Sequence, residues 1–168
     1  LKVATPKEKE KLALILNYTD ATLAHQFNYL ANQELKQVLD NASIASLERV
    51  RKRYASLENI FTSATSARDS IAYQDALLLN NSAGFIQFIN SYPEAKQFAE
   101  AQLKYEEIYY LEQTSANNEN VLAQFILNNP AHRYINQAWS RLYELTKSEG
   151  SLEAYTHFVR HYPNSPNI

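Results

Sequence analysis

The sequence predicts an all-α protein built from repeated helix pairs, and three observations support this prediction. The 168 residues include only two glycines and five prolines, too few turn-forming residues for an all-β fold. Long stretches rich in Ala, Leu, Gln, Glu and Lys favour helix. A phrase with Phe five residues before Pro occurs three times, as FINSYP (88–93), FILNNP (125–130) and FVRHYP (158–163). Such recurrence is typical of a repeat architecture.

The prolines of these phrases, Pro93, Pro130 and Pro163, lie 37 and then 33 residues apart and give a common numbering for the copies. Relative to the proline, position −5 is always Phe. Positions −8 and −4 are also large and apolar, so all three positions lie on one helical face. Position −12 holds Asn81, Asn118 or Ser151, residue types preferred as N-caps. Each copy therefore predicts a helix of about ten residues that the proline ends, which we call helix B.

A second apolar stripe follows each proline, at positions +5, +8, +12 and +15. These positions step by three and four residues, which places them on one face of a helix. The stripe predicts a second helix of about 16 to 18 residues in each copy, which we call helix A. Its members are Phe98, Ala101, Tyr105 and Ile108 in one copy, and Ile135, Ala138, Leu142 and Leu145 in the next.

A degenerate earlier copy is predicted from Ser43 to Ala55, with Ala55 in the place of the proline. Ser43 stands at the cap position, whereas Arg51 at −4 breaks the apolar pattern. The residues before Ser43 predict two helices, Pro6–Tyr18 and Asp20–Asp40, that fit the pattern poorly. Terminal units of repeat arrays are often atypical, because they cap the array.

We therefore predict a single all-α repeat domain over residues 1–168, with seven to eight helices. Residues 1–42 form atypical N-terminal capping helices, residues 43–80, 81–117 and 118–150 are repeat units, and residues 151–168 hold a final helix B and a truncated end. The chain starts at Leu1 without a methionine or signal peptide and stops just inside the next predicted helix A. These features lead us to expect that it is a piece of a longer protein.

A helix pair of about 34 residues that ends in proline resembles the tetratricopeptide repeat, and the resemblance covers residues 43–168. The phrase AGFIQFINSYPEAKQFAEA (83–101) is similar to divergent tetratricopeptide-like units of extracytoplasmic bacterial proteins. These include outer-membrane assembly lipoproteins and multi-domain proteins of the Bacteroidetes type. The chain lacks the W-x-x-L-G opening, and Phe stands where the standard repeat keeps a small alanine. The resemblance implies a right-handed superhelical stack of antiparallel helix pairs, protein binding, no catalytic residues and an extracytoplasmic location.

Composition and charge argue against several other functions. The formal charge of −2 and the absence of cysteine give no case for nucleic acid, disulfides or cysteine-bound metal. The one basic cluster, ERVRKRY (48–54), is interpreted as an exposed helix face or a contact for an acidic protein. No apolar run is long enough for a membrane span. No glycine-rich phosphate loop, nucleophile motif or catalytic carboxylate pair is recognisable, so we expect neither an enzyme nor a bound cofactor.

One weak metal signal remains. His157 and His161 are spaced i, i+4, which can place two imidazoles on one helix face. No third ligand stands at a diagnostic spacing, and Phe158 between them belongs to the core stripe. A solvent-facing pair is the preferred interpretation.

The resemblance also places a protein-binding groove on the non-core face of the A helices. The corresponding positions, +4, +7, +11 and +14, are Gln97, Glu100, Lys104, Glu107, Tyr134, Gln137, Arg141 and Glu144. Charge reversal at Lys104 or Arg141 is expected to weaken partner binding without lowering the melting temperature. The twelve tyrosines are a second binding signal, although several of them must belong to the core.

The function predicted first is a non-catalytic protein–protein interaction scaffold in a larger cell-envelope protein. The first alternative is a structural spacer between neighbouring domains. The second is a metal or small-ligand sensor that uses His157 and His161.

Overall fold

A computed structural model describes the backbone of residues 6–168 and the side chains of residues 20–168. Within that range the chain contains helices and no strand, which confirms the all-α prediction. None of the helices described is both long and apolar enough to cross a membrane. The eight helices are α1 (Pro6–Asp40), α2 (Ile44–Arg53), α3 (Glu58–Leu79), α4 (Ser82–Ser91), α5 (Phe98–Gln113), α6 (Glu119–Asn128), α7 (Ile135–Glu149) and α8 (Leu152–His161).

The chain divides into two compact units, residues 1–72 and 73–168, and the boundary falls inside α3. The predicted repeat boundaries and the single-domain organisation stay predictions.

The four B helices have the predicted bounds. Helices α2, α4, α6 and α8 each contain 10 residues. Each begins directly after a residue at position −12 whose side-chain oxygen accepts a hydrogen bond from the backbone N–H three residues later. Loss of such a cap costs about 1 kcal/mol. The capping residues are Ser43, Asn81, Asn118 and Ser151.

The turn that ends each B helix is also repeated. At position −1 the backbone N–H donates to the carbonyl oxygen at −5, with distances of 2.9–3.0 Å in all four copies. The N–H at +2 then donates to the carbonyl at −1, again in all four copies. In the three copies with proline, the N–H at +5 donates to the carbonyl at +2. A repeated path of hydrogen bonds therefore leads from α4 to the A helix α5 and from α6 to the A helix α7.

Position −13, directly before the cap, has a left-handed backbone in three copies. Its φ angle is 46° at Asn80, 41° at Asn117 and 65° at Gly150. Glycine adopts this region without a steric penalty, and asparagine tolerates it better than most residues. The Asn and Gly residues before the caps are therefore required by the turn that joins helix A to helix B.

The N-terminal prediction of two helices is wrong, because α1 is one continuous helix of 35 residues. The sequence placed a boundary at Asp20, a residue type that commonly caps helices. No glycine or proline interrupts the chain there, so nothing forces the helix to end.

The core of the first unit joins α1, α2 and α3. It contains seven buried residues: Ala31, Leu35, Leu47, Val50, Tyr54, Ile60 and Ala64. Arg51, which breaks the apolar pattern, lies beside this core with its guanidinium 4.7 Å from the centre of the Phe61 ring. It donates to Glu48 at 2.6 Å and to Thr65 at 2.7 Å. Arg51 can occupy the apolar position −4 because the aliphatic part of its side chain packs beside the core and its guanidinium is paired with polar groups.

In the second unit, a repeated aromatic pair that was not predicted from the sequence packs each A helix against the B helix that follows it. The phenylalanines at −5, Phe88, Phe125 and Phe158, are only 2–3% exposed. Each ring is 5.3–5.5 Å from a tyrosine ring at position −20, on the preceding A helix. The tyrosines are Tyr73, Tyr110 and Tyr143. Tilted or edge-to-face pairs of this kind stabilise by about 0.5–1.5 kcal/mol beyond the burial itself.

Truncation of one ring tests the importance of this pair. Phe125→Ala should lower the free energy of unfolding by about 3–5 kcal/mol, because it removes a buried ring and leaves a cavity. The control is Leu127→Ala on the same helix, where the side chain is 73% exposed and the change should be within about 0.5 kcal/mol. Urea unfolding of both variants measures the difference. Equal effects of the two substitutions would contradict the assignment of Phe125 to the core.

Candidate functional site

Two adjoining depressions in the second unit lie between α5 and its neighbours. One, of about 310 Å³, lies between α5 and α6, and the other, of about 450 Å³, lies between α4, α5 and the turn after α6. Asn128 and Asn129 line both depressions. We call the pair the tyrosine cleft. Its other principal residues are Gln102, Tyr105, Glu106, Tyr109, Gln113, Gln124, Phe125 and His132.

The cleft has an aromatic floor. Tyr105 and Tyr109 are stacked with ring centres 5.6 Å apart, and Tyr109 lies 6.4 Å from Phe125. Phe125 in turn meets the His132 ring edge-to-face at 5.1 Å. Both tyrosines are half-buried, so part of each ring remains available for contact. A rigid, partly exposed aromatic floor offers a large contact area with little loss of side-chain entropy on binding.

Exposed carboxamide side chains line the edges of this floor. Gln102 and Gln113 project from α5, and Gln124 and Asn128 project from α6 at positions −6 and −2. Each carboxamide carries two N–H donors and an accepting oxygen. Together they place both donors and acceptors along the edges of the cleft. The cleft is thus an apolar floor with neutral polar edges.

His132 closes one end of the cleft as a neutral ring. Its Nδ1 accepts the backbone N–H of Tyr134 at 3.2 Å, and its Nε2 is buried without a hydrogen-bond partner. Burial lowers the pKa of His132, and the nearby Glu106 carboxylate opposes this shift only in part. The ring therefore acts mainly as an aromatic surface between Phe125 and Tyr134, 6.0 Å from the latter.

The residues predicted to line a groove on α5 have mixed positions. Glu100, Lys104 and Glu107 are exposed on one face, with Lys104 Nζ 3.7 Å from Glu107. Gln97 is half-buried and stands at the N-cap position, directly before α5. Burial, with a smaller contribution from Glu100, raises the pKa of Tyr73 to about 12. None of these predicted residues lines the tyrosine cleft.

On α7 the predicted groove residues separate into two groups. Gln137 and Glu144 are exposed, and Glu144 accepts a 3.0 Å hydrogen bond from Lys147. Tyr134 is half-buried, with its ring stacked 5.2 Å from Tyr110. Arg141 is directed toward the end of α5 and not toward solvent.

Arg141 joins α7 to the C-terminal end of α5. It donates to the hydroxyl of Thr114 at 2.7 Å and to the backbone carbonyl of Thr114 at 2.9 Å. It also donates to the Asn117 side-chain oxygen at 2.7 and 3.0 Å, and to the Tyr110 hydroxyl at 3.1 Å. A cation at a helix C-terminus satisfies carbonyl groups that lack helical partners. Its role is therefore structural.

The His157–His161 pair is stacked, with ring centres 3.9 Å apart. Nδ1 of His161 lies 2.9 Å from the His157 carbonyl oxygen, and Nδ1 of His157 lies 3.5 Å from Glu119. Among the residues with described side chains, no group of three or more His, Cys, Asp or Glu could hold a metal ion. Glu119 also accepts the Tyr162 hydroxyl at 2.8 Å. Burial, followed by this contact, raises the pKa of Tyr162 to about 12.

Two of the four basic residues in the cluster 48–54 form ion pairs within the first unit. Besides Arg51, Arg53 donates to the Glu34 carboxylate at 2.7 and 2.8 Å, and the Tyr54 hydroxyl donates to Glu34 at 2.8 Å. The guanidinium of Arg53 is therefore paired with a carboxylate of α1. Arg49 and Lys52 are exposed.

Comparison of the chain with protein-family models, curated proteins and solved structures gives no match.

The contacts of Arg141 revise the expectation that its charge reversal leaves the melting temperature unchanged. Arg141→Glu should lower the free energy of unfolding by about 2–3 kcal/mol, because the buried hydroxyl of Thr114 loses its charged donor and a carboxylate faces helix carbonyls. Lys104→Glu on the exposed face of α5 should change it by less than about 0.5 kcal/mol. Thermal and urea unfolding of the two variants provide the comparison. A stable Arg141→Glu protein would show that these hydrogen bonds are dispensable.

The buried His132 ring predicts a stability that depends on pH. Its folded pKa lies below that of the unfolded chain, so the unfolded state binds more protons as the pH falls. The stabilisation is complete above the unfolded pKa near 6.5 and is lost as the pH falls through the folded pKa. We expect His132→Leu, chosen because Leu57 stands at the same +2 position, to lose less stability between about pH 7 and about pH 5.5. Urea unfolding at both pH values measures this; identical losses in the two proteins would disprove the effect.

Proposed function

We propose that the chain is a non-catalytic protein-interaction module that holds a segment of a partner protein in the tyrosine cleft. The observation that carries the proposal is the combination of the stacked Tyr105–Tyr109 pair with exposed carboxamides on two helices. The floor supplies apolar contact, and the amides can pair with peptide N–H and C=O groups.

The electrostatics of the cleft support a peptide more than a charged ligand. Glu106 is the one carboxylate among its lining residues, and no Lys or Arg lines it. Affinity would then come from aromatic contact and neutral hydrogen bonds, with weak dependence on salt. A phosphate-bearing or polyanionic ligand would meet no cation there.

The larger architecture belongs to the same proposal. The repeated caps, turns and Tyr–Phe pairs support a tetratricopeptide-like arrangement of successive helix pairs, whereas an antiparallel stack with a right-handed superhelical course is what the sequence resemblance implies. An extracytoplasmic location and attachment to a larger envelope protein follow from the sequence resemblance alone and stay predictions. The spacer alternative requires no ligand, and the sensor alternative requires metal at His157 and His161.

A selection experiment distinguishes the cleft from the predicted groove on the A helices. The purified chain is used to select binders from a library of displayed random peptides, and their affinities are measured by calorimetry. Gln124→Lys and Asn128→Lys, both in the cleft, should weaken binding by about tenfold or more, because each loses an amide partner and adds a bulky charge. Lys104→Glu and Gln137→Lys, both outside it, should leave the affinity within about twofold.

The reverse pattern would assign binding to the predicted groove and refute the cleft. If the selection yields no peptide that binds at the tyrosine cleft or at the predicted groove, the structural-spacer alternative is favoured. A zinc-dependent rise in melting temperature that His157→Ala removes would favour the sensor.

A further inference from the structure

The single carboxylate of the tyrosine cleft stands at a repeat position that is packed inward in the neighbouring copies. Position −24 lies four residues before the tyrosine at −20, so both are on the same side of the A helix. It holds Asp69 in α3, Glu106 in α5 and Trp139 in α7. Asp69 is only 5% exposed, and Trp139 is half-buried with its ring 6.0 Å from that of Tyr162. A carboxylate at this position loses hydration, so it needs a partner.

In α3 the chain itself supplies that partner. Arg68, at position −25, donates to Oδ1 of Asp69 at 2.5 and 2.8 Å and to Glu48 of α2 at 2.5 Å. The Arg68 side chain is only 13% exposed, so its guanidinium pairs with both acids in a largely buried site. A guanidinium can serve two carboxylates because its five N–H donors have a fixed planar arrangement. Position −24 therefore accommodates an acid when an arginine pairs with it.

In α5 the acid is present without such an arginine. Position −25 holds Tyr105, whose ring lines the depression of about 450 Å³ together with the half-buried Glu106. Within the described part of the chain, Glu106 forms no hydrogen bond and no ion pair. The nearby His132 ring is neutral and offers no compensating charge. The cleft therefore carries one uncompensated negative charge beside an aromatic ring.

We propose that the segment held in the tyrosine cleft carries an arginine, whose guanidinium pairs with Glu106 and lies against the Tyr105 ring. The partner then supplies the group that Arg68 supplies in α3. This inference rests on the proposed function, because it names the chemistry of the segment that the cleft holds. A guanidinium forms two parallel hydrogen bonds with a carboxylate and stacks on an aromatic face, a combination that the ammonium group of lysine does not match.

The pair with Glu106 contributes selectivity more than general affinity. Aromatic contact and neutral hydrogen bonds act on many segments, whereas Glu106 favours a cation and repels an acidic side chain. The carboxamide oxygens of Gln102 and Asn128 line the same depression and can accept the remaining guanidinium N–H groups. Because Glu106 is half-buried, salt screens its pair with arginine less than it screens a surface pair. Binding therefore stays weakly dependent on salt.

Peptides selected against the purified chain test this proposal. Those whose affinity falls with Gln124→Lys bind at the cleft, and they should share an arginine. Replacing that arginine by citrulline, which has a similar shape and no charge, should weaken binding by about tenfold, and replacing it by lysine by about threefold or more. Glu106→Gln should weaken the arginine peptide by about tenfold. Glu107→Gln, on the exposed face of α5 outside the cleft, is the matched control and should leave the affinity within about twofold.

Combining the two changes distinguishes a direct pair from a general loss of binding. The citrulline peptide should bind the unmodified chain and Glu106→Gln equally well, because either change alone already removes the pair. Urea unfolding should show that Glu106→Gln is at least as stable as the unmodified chain, since Glu106 forms no hydrogen bond within it.

Three results overturn the arginine and leave the proposed function intact. They are cleft-binding peptides without arginine, an arginine peptide whose affinity does not change with Glu106→Gln, and a lysine peptide that binds as tightly as the arginine peptide. A selection that yields no peptide binding at the cleft refutes both the arginine and the proposed function.

Discussion

The contact on which the second unit depends is the pair formed by tyrosine at position −20 and phenylalanine at position −5. It fixes each A helix against the B helix that follows it. The same phenylalanine contributes the carbonyl that closes the B helix through the N–H at −1. The side chain of this residue therefore packs the two helices together, and its backbone carbonyl helps to end the B helix. In the first unit, position −20 holds Leu35 and position −5 holds Val50. Both residues are buried, but neither is aromatic.

The tyrosine cleft is a consequence of this frame. Phe125 is at once the core residue of α6 and part of the cleft floor, and His132 belongs to the turn that the Phe125 carbonyl helps to close. Arg141 also stabilises this region, because it joins α7 to the C-terminal end of α5. The floor is therefore rigid before any ligand arrives, whereas the exposed amides at its edges can adjust. That division between a fixed apolar floor and adaptable polar edges lowers the ordering cost of binding.

Local chemistry explains why so much of the fold could be predicted from the sequence. The cap residues, the prolines and the stripes at three- and four-residue spacing each act within one helix, so they predicted all four B helices and the A helices α5 and α7. The continuous α1 was missed because Asp20 has the chemistry of a cap, although nothing in the chain requires a break there. The degenerate copy was found despite Arg51, whose partners Glu48 and Thr65 lie on two helices and could not be foreseen.

The site was harder to predict because it depends on contacts between helices. Of the eight predicted groove residues, Glu100, Lys104, Glu107, Gln137 and Glu144 are exposed. In the sequence, Arg141 has the pattern of another exposed charge. Only the fold shows that its guanidinium donates hydrogen bonds to Thr114 and Asn117. Positions −6 and −2 hold Gln124 and Asn128 in α6, and they hold other polar residues in α4 and α8, so the repeat pattern marks these positions as outward-facing. Extending the same pattern backward to position −20 would also have found the three tyrosines.

The four-residue difference between the two proline spacings has a geometric meaning. It lies wholly in the first part of helix A, between position +5 and the next tyrosine: Phe98 to Tyr110 in α5, and Ile135 to Tyr143 in α7. Four residues make about one helical turn, so the longer helix presents its tyrosine at nearly the same angle as the shorter one, about one pitch further along the axis. Between these two copies the repeat length therefore changes by about one turn, and the tyrosine stays within about 40° of the same face of the helix. An insertion of two residues at the same place would rotate the tyrosine to the opposite side of the helix.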